Sequence, residues 1–247
     1  MNTKIFNFIL VSLIVAALSG LASCSNDENY YVEPAFYSTI GSLDKNENSE
    51  YYINSDKNKK LLVENSQLLT NAEIKEGDRV YSEFTLNESK PEGYDEAINM
   101  LYVYKVLVKD PVKLTDENSA EIADNNIGIS SIWSSKNYLN FFFQFLGSGQ
   151  TKHFINLVTV DNPKKTEDGY LYVEFRHNAY GEASKNAYNG IVSFDITDLL
   201  AENPNLKGFI VRVNTYFEGE QFYKIDINAD NMPKTSLKSA AGGNNVE

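Results

Sequence analysis

The chain holds one cysteine, Cys24, and two histidines, His153 and His177, the residue types that most often serve as nucleophile or zinc ligand. Two imidazoles can begin a zinc site, but such a site needs three or four protein ligands at compatible spacing. Neither H-E-x-x-H nor H-x-H occurs. His177 falls in phase with Val173 and Phe175, which places it where a core meets a loop, as a structural histidine. The G-x-S-x-G nucleophile motif and phosphate-binding glycine loops are missing too. Gly147-Ser148-Gly149 reads as a hairpin turn. Asp226-Ile227-Asn228-Ala229-Asp230 imitates the start of a calcium loop, but Asn231 takes the place of the turn glycine and Leu237 that of the bidentate glutamate. Asp44-Lys45-Asn46-Glu47-Asn48 fails in the same way at Ser55. The 34 acidic residues allow many carboxylate pairs for glycoside hydrolysis, but abundance does not define a pair. No catalytic residue, metal or cofactor is therefore expected, and the chain is read as a non-enzyme.

Cys24 reads as an address. Phe8–Leu18 (FILVSLIVAAL) is an uncharged apolar run behind Lys4, the pattern of a secretory signal, and it is shorter than a membrane-spanning helix requires. Leu21-Ala22-Ser23-Cys24 resembles the bacterial lipobox. That resemblance implies a diacylglycerol on the Cys24 sulfur, cleavage before it and acylation of the new amino group. Each buried methylene contributes about 0.8 kcal/mol, and two or more chains anchor stably where one does not. Residues 1–23 are thus expected to be a lipoprotein signal peptide and 24–34 a polar tether. Ser25-Asn26-Asp27-Glu28 is open to two readings, a sorting signal for the outer face of a Gram-negative outer membrane or a solvated acidic tether.

Losing the signal peptide removes one charged residue, Lys4, and takes the formal charge from −12 to −13. Nucleic acids bind largely through Lys and Arg, so they are not expected partners. With 42% hydrophobic and 13% aromatic residues the chain can bury a substantial core. Disulfides contribute nothing to it, so packing must hold the fold.

The elements read as short strands in two series. Phe36–Leu43, Tyr51–Asn54, Leu61–Val63, Arg79–Leu86 and Met100–Val108 form the first. In Arg79–Leu86, Val80, Phe84 and Leu86 share one face, while Arg79, Glu83 and Thr85 share the other, the alternation of a half-buried strand. Five such strands suit an OB-like barrel over residues 35–112. Asp110–Asn126 is a polar crossing. Ile127–Trp133, Tyr138–Leu146, His153–Val160, Tyr170–His177, Ile191–Ile196, Phe209–Val213 and Phe222–Ile227 form the second series. Seven strands with turn signals predict an antiparallel β-sandwich over 113–230. A helix is expected at Asp198–Glu202, with Thr197 as its cap and Pro204 as its stop. The tail, 231–247, lacks apolar periodicity. The fold class is all-β: a small N-terminal OB-like barrel, then a C-terminal sandwich.

Tyr180 and Tyr188 fall in Asn178–Gly190, read as a long polar loop between strands. Loops of that length are often functional. These rings either stack on a sugar or anchor a protein interface, or they fold back over the sandwich edge.

At Arg176-His177-Asn178-Ala179-Tyr180-Gly181-Glu182 the chain resembles the NigD-like lipoproteins. Supporting segments are Glu76-Gly77-Asp78-Arg79-Val80-Tyr81, Trp133 with Tyr138-Leu139-Asn140-Phe141, and Ser193-Phe194-Asp195-Ile196. Glu182 stands where the family pattern leads one to expect aspartate. The resemblance implies a lipobox, an N-terminal OB domain and a C-terminal β-sandwich. The family takes its name from an operon linked to bacteriocin production, where an immunity role was proposed. It implies no catalytic residues. Arg176, His177, Asn178, Tyr180 and Tyr188 are the candidate binding residues, and Cys24 is the lipidation site. The expectation is an outer-membrane lipoprotein on the periplasmic face or the cell surface. Its membrane contact is the lipid anchor, and its partner is an unidentified protein. The alternative is a glycan, bound by an accessory protein of polysaccharide uptake.

Overall fold

A computed structural model describes residues 35–89, 91–160, 169–183 and 185–227. The signal peptide, Cys24, the tether, the second half of the calcium-like segment and the tail lie outside the described residues.

The first strands are β1 (Tyr37–Lys45), β2 (Tyr51–Ser55), β3 (Lys60–Val63), β4 (Arg79–Leu86) and β5 (Glu96–Lys105), with a short helix, α1 (Gln67–Asn71), between β3 and β4. They form a closed barrel in the order β1-β2-β3-β5-β4, completed where β1 pairs with β4. Leu43, Ile53, Val80, Phe84, Ile98 and Met100 fill it, and Leu69 of α1 packs among them. Five residues are too few to show a helical period, so the sequence gives no sign of α1. The expected inward face of β4 holds at Val80 and Phe84. Leu86 departs from it: it lies at the strand's end and is exposed.

The remaining strands are β6 (Leu107–Lys109), β7 (Val112–Lys113), β8 (Gly128–Ser135), β9 (Tyr138–Gly147), β10 (Phe154–Thr159), β11 (Tyr170–Asn178), β12 (Asn186–Asp195), β13 (Gly208–Thr215) and β14 (Gly219–Asp226). One sheet runs β14-β13-β11-β10-β7 and the other β6-β12-β9-β8. Leu139, Phe141, Phe143 and Phe145 point between the sheets, as their alternation predicts, and Phe141 stacks on Phe175 at 4.2 Å.

Four expectations need correction. Leu107–Lys109 pairs with β12 and Val112–Lys113 with β10, so these residues belong to the sandwich and the domain boundary moves ahead of residue 107. The sandwich is mixed rather than antiparallel, because β6/β12, β7/β10 and β11/β13 are parallel pairs. Gly147-Ser148-Gly149 does not close a hairpin, since β9 and β10 lie in different sheets. A further helix, α2 (Thr197–Glu202), has Ile196 at its N-cap and no side-chain cap, so Thr197 lies inside it rather than capping it; the Asp195 carboxylate accepts the Thr197 N–H at 2.9 Å and the Thr197 hydroxyl.

Gly208 marks a tight approach between β13 and β14. A Cβ there would stand 2.0 Å from the carbonyl oxygen of Ile225, a backbone atom that cannot swing aside. Gly208→Ala is expected to lower stability by about 1–3 kcal/mol, the usual cost of overpacking, read as a lower urea midpoint. An unchanged midpoint would show that the strands part freely.

Candidate functional site

The outer face of β9 explains why both faces of that strand are apolar. Phe142 and Asn140 point away from the sandwich core yet are 8% and 0% exposed. Phe142, Trp133 and Ile191 of the sandwich pack with Ile40, Tyr81 and Val106 of the barrel and its exit. At the centre of this junction lies Arg79, the first residue of β4.

The Arg79 guanidinium donates from all three of its nitrogens. It donates to both carboxylate oxygens of Asp56 at 3.1 and 2.7 Å, to the Ser193 hydroxyl at 2.9 Å and to Asn140 Oδ1 at 2.9 Å. The Tyr138 ring lies 4.1 Å from the guanidinium carbon. The Trp133 indole N–H donates to Asp56 Oδ2 at 3.2 Å, and Ser193 donates to Asn140 Oδ1 at 2.7 Å. The side chains of Arg79 and Asp56 are 2% and 3% exposed. A planar donor fork is what such a bidentate, buried pairing requires. Three of the segments that carry the family resemblance therefore meet at one point, contributing Arg79, Trp133, Tyr138, Asn140 and Ser193.

The fourth segment builds a second internal centre. His153 and His177 are 0% and 1% exposed. His177 Nδ1 lies 3.0 Å from the Asn126 carbonyl oxygen, His177 Nε2 lies 2.7 Å from His153 Nδ1, and His153 Nε2 lies 2.8 Å from Glu182 Oε2. The partners fix the protons. A carbonyl only accepts, so His177 Nδ1 carries a hydrogen. Burial, followed by the nearby His153, pushes His177 down to about 4, so its ring is neutral and Nε2 accepts from His153. Hydrogen bonds from Ser148 and then from His153 hold Glu182 down at about 2. The Asn126 carbonyl, His177, His153 and Glu182 thus form one hydrogen-bonded chain. Every nitrogen is engaged inside the protein. Among the described residues no group of three or more His, Cys, Asp or Glu is placed to hold a metal ion.

The five candidate binding residues do not form one surface. His177 is internal. Asn178 is 8% exposed; its amide donates to the Glu121 carbonyl and its oxygen accepts the Tyr180 N–H at 2.7 Å. Arg176 pairs with Glu174 at 2.6 Å on the outer sheet face. Tyr188 is not in a loop: β12 begins at Asn186, so the connection shrinks to residues 179–185. The Tyr188 ring stacks on Phe145 at 5.8 Å, and its hydroxyl occupies the space beside Gly149. Tyr180 alone of the five is half exposed, at 50%. Sequence reasoning gave no role to Arg79, Asp56 or Glu182 and did not join His153 to His177. The signal available for the first was an arginine inside an otherwise ordinary strand, on the face expected to meet solvent.

Comparison with known proteins agrees with this architecture. Residues 40–106 match the model of the NigD-like N-terminal OB domain, and residues 110–227 that of the NigD-like C-terminal beta sandwich domain. A protein of unknown function from Bacteroides vulgatus ATCC 8482 superposes with a TM-score of 0.72 at 24% identity, over 85% of this chain and 100% of its own. A protein named "Putative lipoprotein" from Bacteroides fragilis NCTC 9343 gives 0.63 at 12% identity, over 79% of this chain and 100% of its own. A NigD-like immunity protein from Bacteroides caccae ATCC 43185 gives 0.56 at 16% identity, over 79% of this chain and 93% of its own. No curated protein matches the sequence. Among the described residues no helix is long and apolar enough to cross a membrane.

Proposed function

This chain belongs to the NigD-like family, and from that premise we propose that it is a non-enzymatic envelope protein that binds a protein partner in the manner of an immunity protein. The observation that carries the reading is the family match across both domains. The internal placement of both histidines supports it, because their nitrogens are spent on one another, on Glu182 and on a carbonyl. Exposed aromatics supply anchors of the kind protein interfaces use. Phe217, at the tip of the β13–β14 hairpin, is 98% exposed, and Phe222 on β14 is 55% exposed. The bacteriocin made by the same strain is expected to bind the chain in a calorimetric titration, and Phe217→Ala is expected to weaken that binding about tenfold or more without moving the unfolding midpoint. No heat of binding at micromolar concentrations would count against the reading.

The same proposal places the protein at the outer membrane through acyl chains on Cys24. Radioactive palmitate is expected to label the wild type and not Cys24→Ser. An unlabelled wild type would remove the anchor. The alternative of glycan binding through Tyr180 and Tyr188 is weakened by the packing of Tyr188 against Phe145.

A further inference from the structure

We infer that one end of the barrel is a binding cleft for a short neutral glycan, a site that does not depend on the protein-partner reading. The turn between β1 and β2 and the loop between β4 and β5 flank a cleft of about 490 Å³, within the size range of small-ligand sites. Tyr52 of β2 and Tyr94 of the β4–β5 loop line it, with ring centroids 5.6 Å apart at 64°. Both rings are partly exposed rather than part of the core.

Hydrogen bonds hold each part of the cleft in place. The Tyr52 hydroxyl donates to Asp44 Oδ2 at 3.1 Å, and the Tyr94 hydroxyl accepts from the Asn46 amide at 2.9 Å. Asn46 Oδ1 also accepts the N–H groups of Asn48 and Glu50 at 3.0 and 2.9 Å. One asparagine therefore shapes the first wall and ties it to the second. The Asp95 carboxylate accepts the Lys60 N–H at 2.8 Å, and the Asp95 N–H returns to the Lys60 carbonyl at 2.9 Å, which fixes the second wall to β3. Walls already ordered lose little entropy when a ligand enters.

The lining chooses the ligand class. A sugar offers a C–H face to an aromatic ring and hydroxyls that both donate and accept. Tyr94 meets the first need, because Lys60 Nζ already lies over the Tyr52 ring. Glu50 and Glu92 as acceptors, with Asn48 and Lys60 as donors, meet the second. Among the described lining residues three carboxylates, Glu47, Glu50 and Glu92, stand against one ammonium, Lys60. That balance repels a phosphate chain. A cationic peptide finds its place over Tyr52 taken, because Lys60 Nζ lies 5.7 Å from that ring's centroid. OB barrels take oligonucleotides or oligosaccharides on strands 2 and 3 and the two adjoining loops, and the charge here selects the latter.

The test is calorimetric titration of the purified chain with linear neutral hexasaccharides of glucose, xylose and mannose. The oligonucleotide dT12 and tetralysine serve as charged comparisons. At least one hexasaccharide is expected to bind with a micromolar to millimolar Kd, and Tyr94→Ala to weaken it about tenfold or more, the loss of one stacking ring. Lys60→Ala and Glu92→Gln change exposed rim groups outside the core. They are expected to weaken binding at an unchanged urea midpoint, which keeps the test open should the tyrosine variants fold poorly. The proposal is overturned if no hexasaccharide binds, if dT12 or tetralysine binds more tightly, or if the rim variants bind like the wild type. None of these outcomes bears on bacteriocin binding.

Discussion

Arg79→Met is expected to cost about 3–5 kcal/mol of stability, the largest effect of any single change considered for this protein. The reason is what stays behind. Asp56 is left without its guanidinium partner in a site where its side chain is 3% exposed, and of the donors described at this site it retains the Trp133 indole at 3.2 Å. Asn140 Oδ1 and the Ser193 hydroxyl also lose a partner each. A domain of ordinary stability has about 5–15 kcal/mol in all, so much of the margin disappears. The loss falls at the junction of barrel and sandwich. Trp133, the chain's only tryptophan, lies there fully buried, so its fluorescence reports the event directly. Urea unfolding of the wild type is expected to follow one transition by fluorescence and by circular dichroism. In the variant the fluorescence change is expected to come first. Arg79→Lys restores charge without the planar fork and is expected to recover only part of the loss. If Arg79→Met unfolds at the wild-type midpoint, the junction does not hold the two domains together.

Acid is expected to weaken the fold through the histidine relay in two distinct windows. His177 titrates at about 4 in the folded protein against an ordinary 6.5. Between those values the unfolded chain takes up a proton that the folded chain refuses, so stability is full above 6.5 and falls as the pH drops toward 4. The whole window is worth about 3 kcal/mol. Glu182 behaves as a depressed carboxylate: its folded value is about 2 against an ordinary 4.5. Its contribution is present above 4.5 and is lost as the pH falls toward 2. Urea midpoints at pH 7, 5.5 and 4.5 read the first window. His177→Gln is expected to flatten the slope between pH 7 and 4.5 whatever its own stability, while Glu182→Gln is expected to leave that slope and change the one below 4.5. Identical slopes in wild type and His177→Gln would mean that His177 accepts its proton as readily folded as unfolded.

These two centres also show what the sequence could and could not convey. The inward rows Leu139-Phe141-Phe143-Phe145 and Leu171-Val173-Phe175 were legible because period-two alternation is a local property. The closed barrel was legible through its five strands and their spacing. Phe142 and Arg79 were not, because their burial comes from one domain docking on another and leaves no mark within a single strand. The strands β6 and β7, three and two residues long, are too short to carry a period, and their parallel pairing depends on partners distant in the chain. Tyr188 was misplaced in a loop because Asn186, Asn189 and Gly190 read as turn residues. The structure uses them in β12, where Gly190 gives room to the Phe143 ring, 2.5 Å from where a Cβ would stand. His153 looked isolated, since its partners His177 and Glu182 lie 24 and 29 positions away.

The reading of this chain as an immunity-type envelope binder is tested most directly by survival. A strain lacking the chain is exposed to the bacteriocin that the parent strain makes, and killing is compared with that of the parent and of strains restored with wild type or Cys24→Ser. The deletion is expected to become sensitive, the wild type to restore survival, and Cys24→Ser to fail. Equal survival of the deletion strain and its parent would contradict the account.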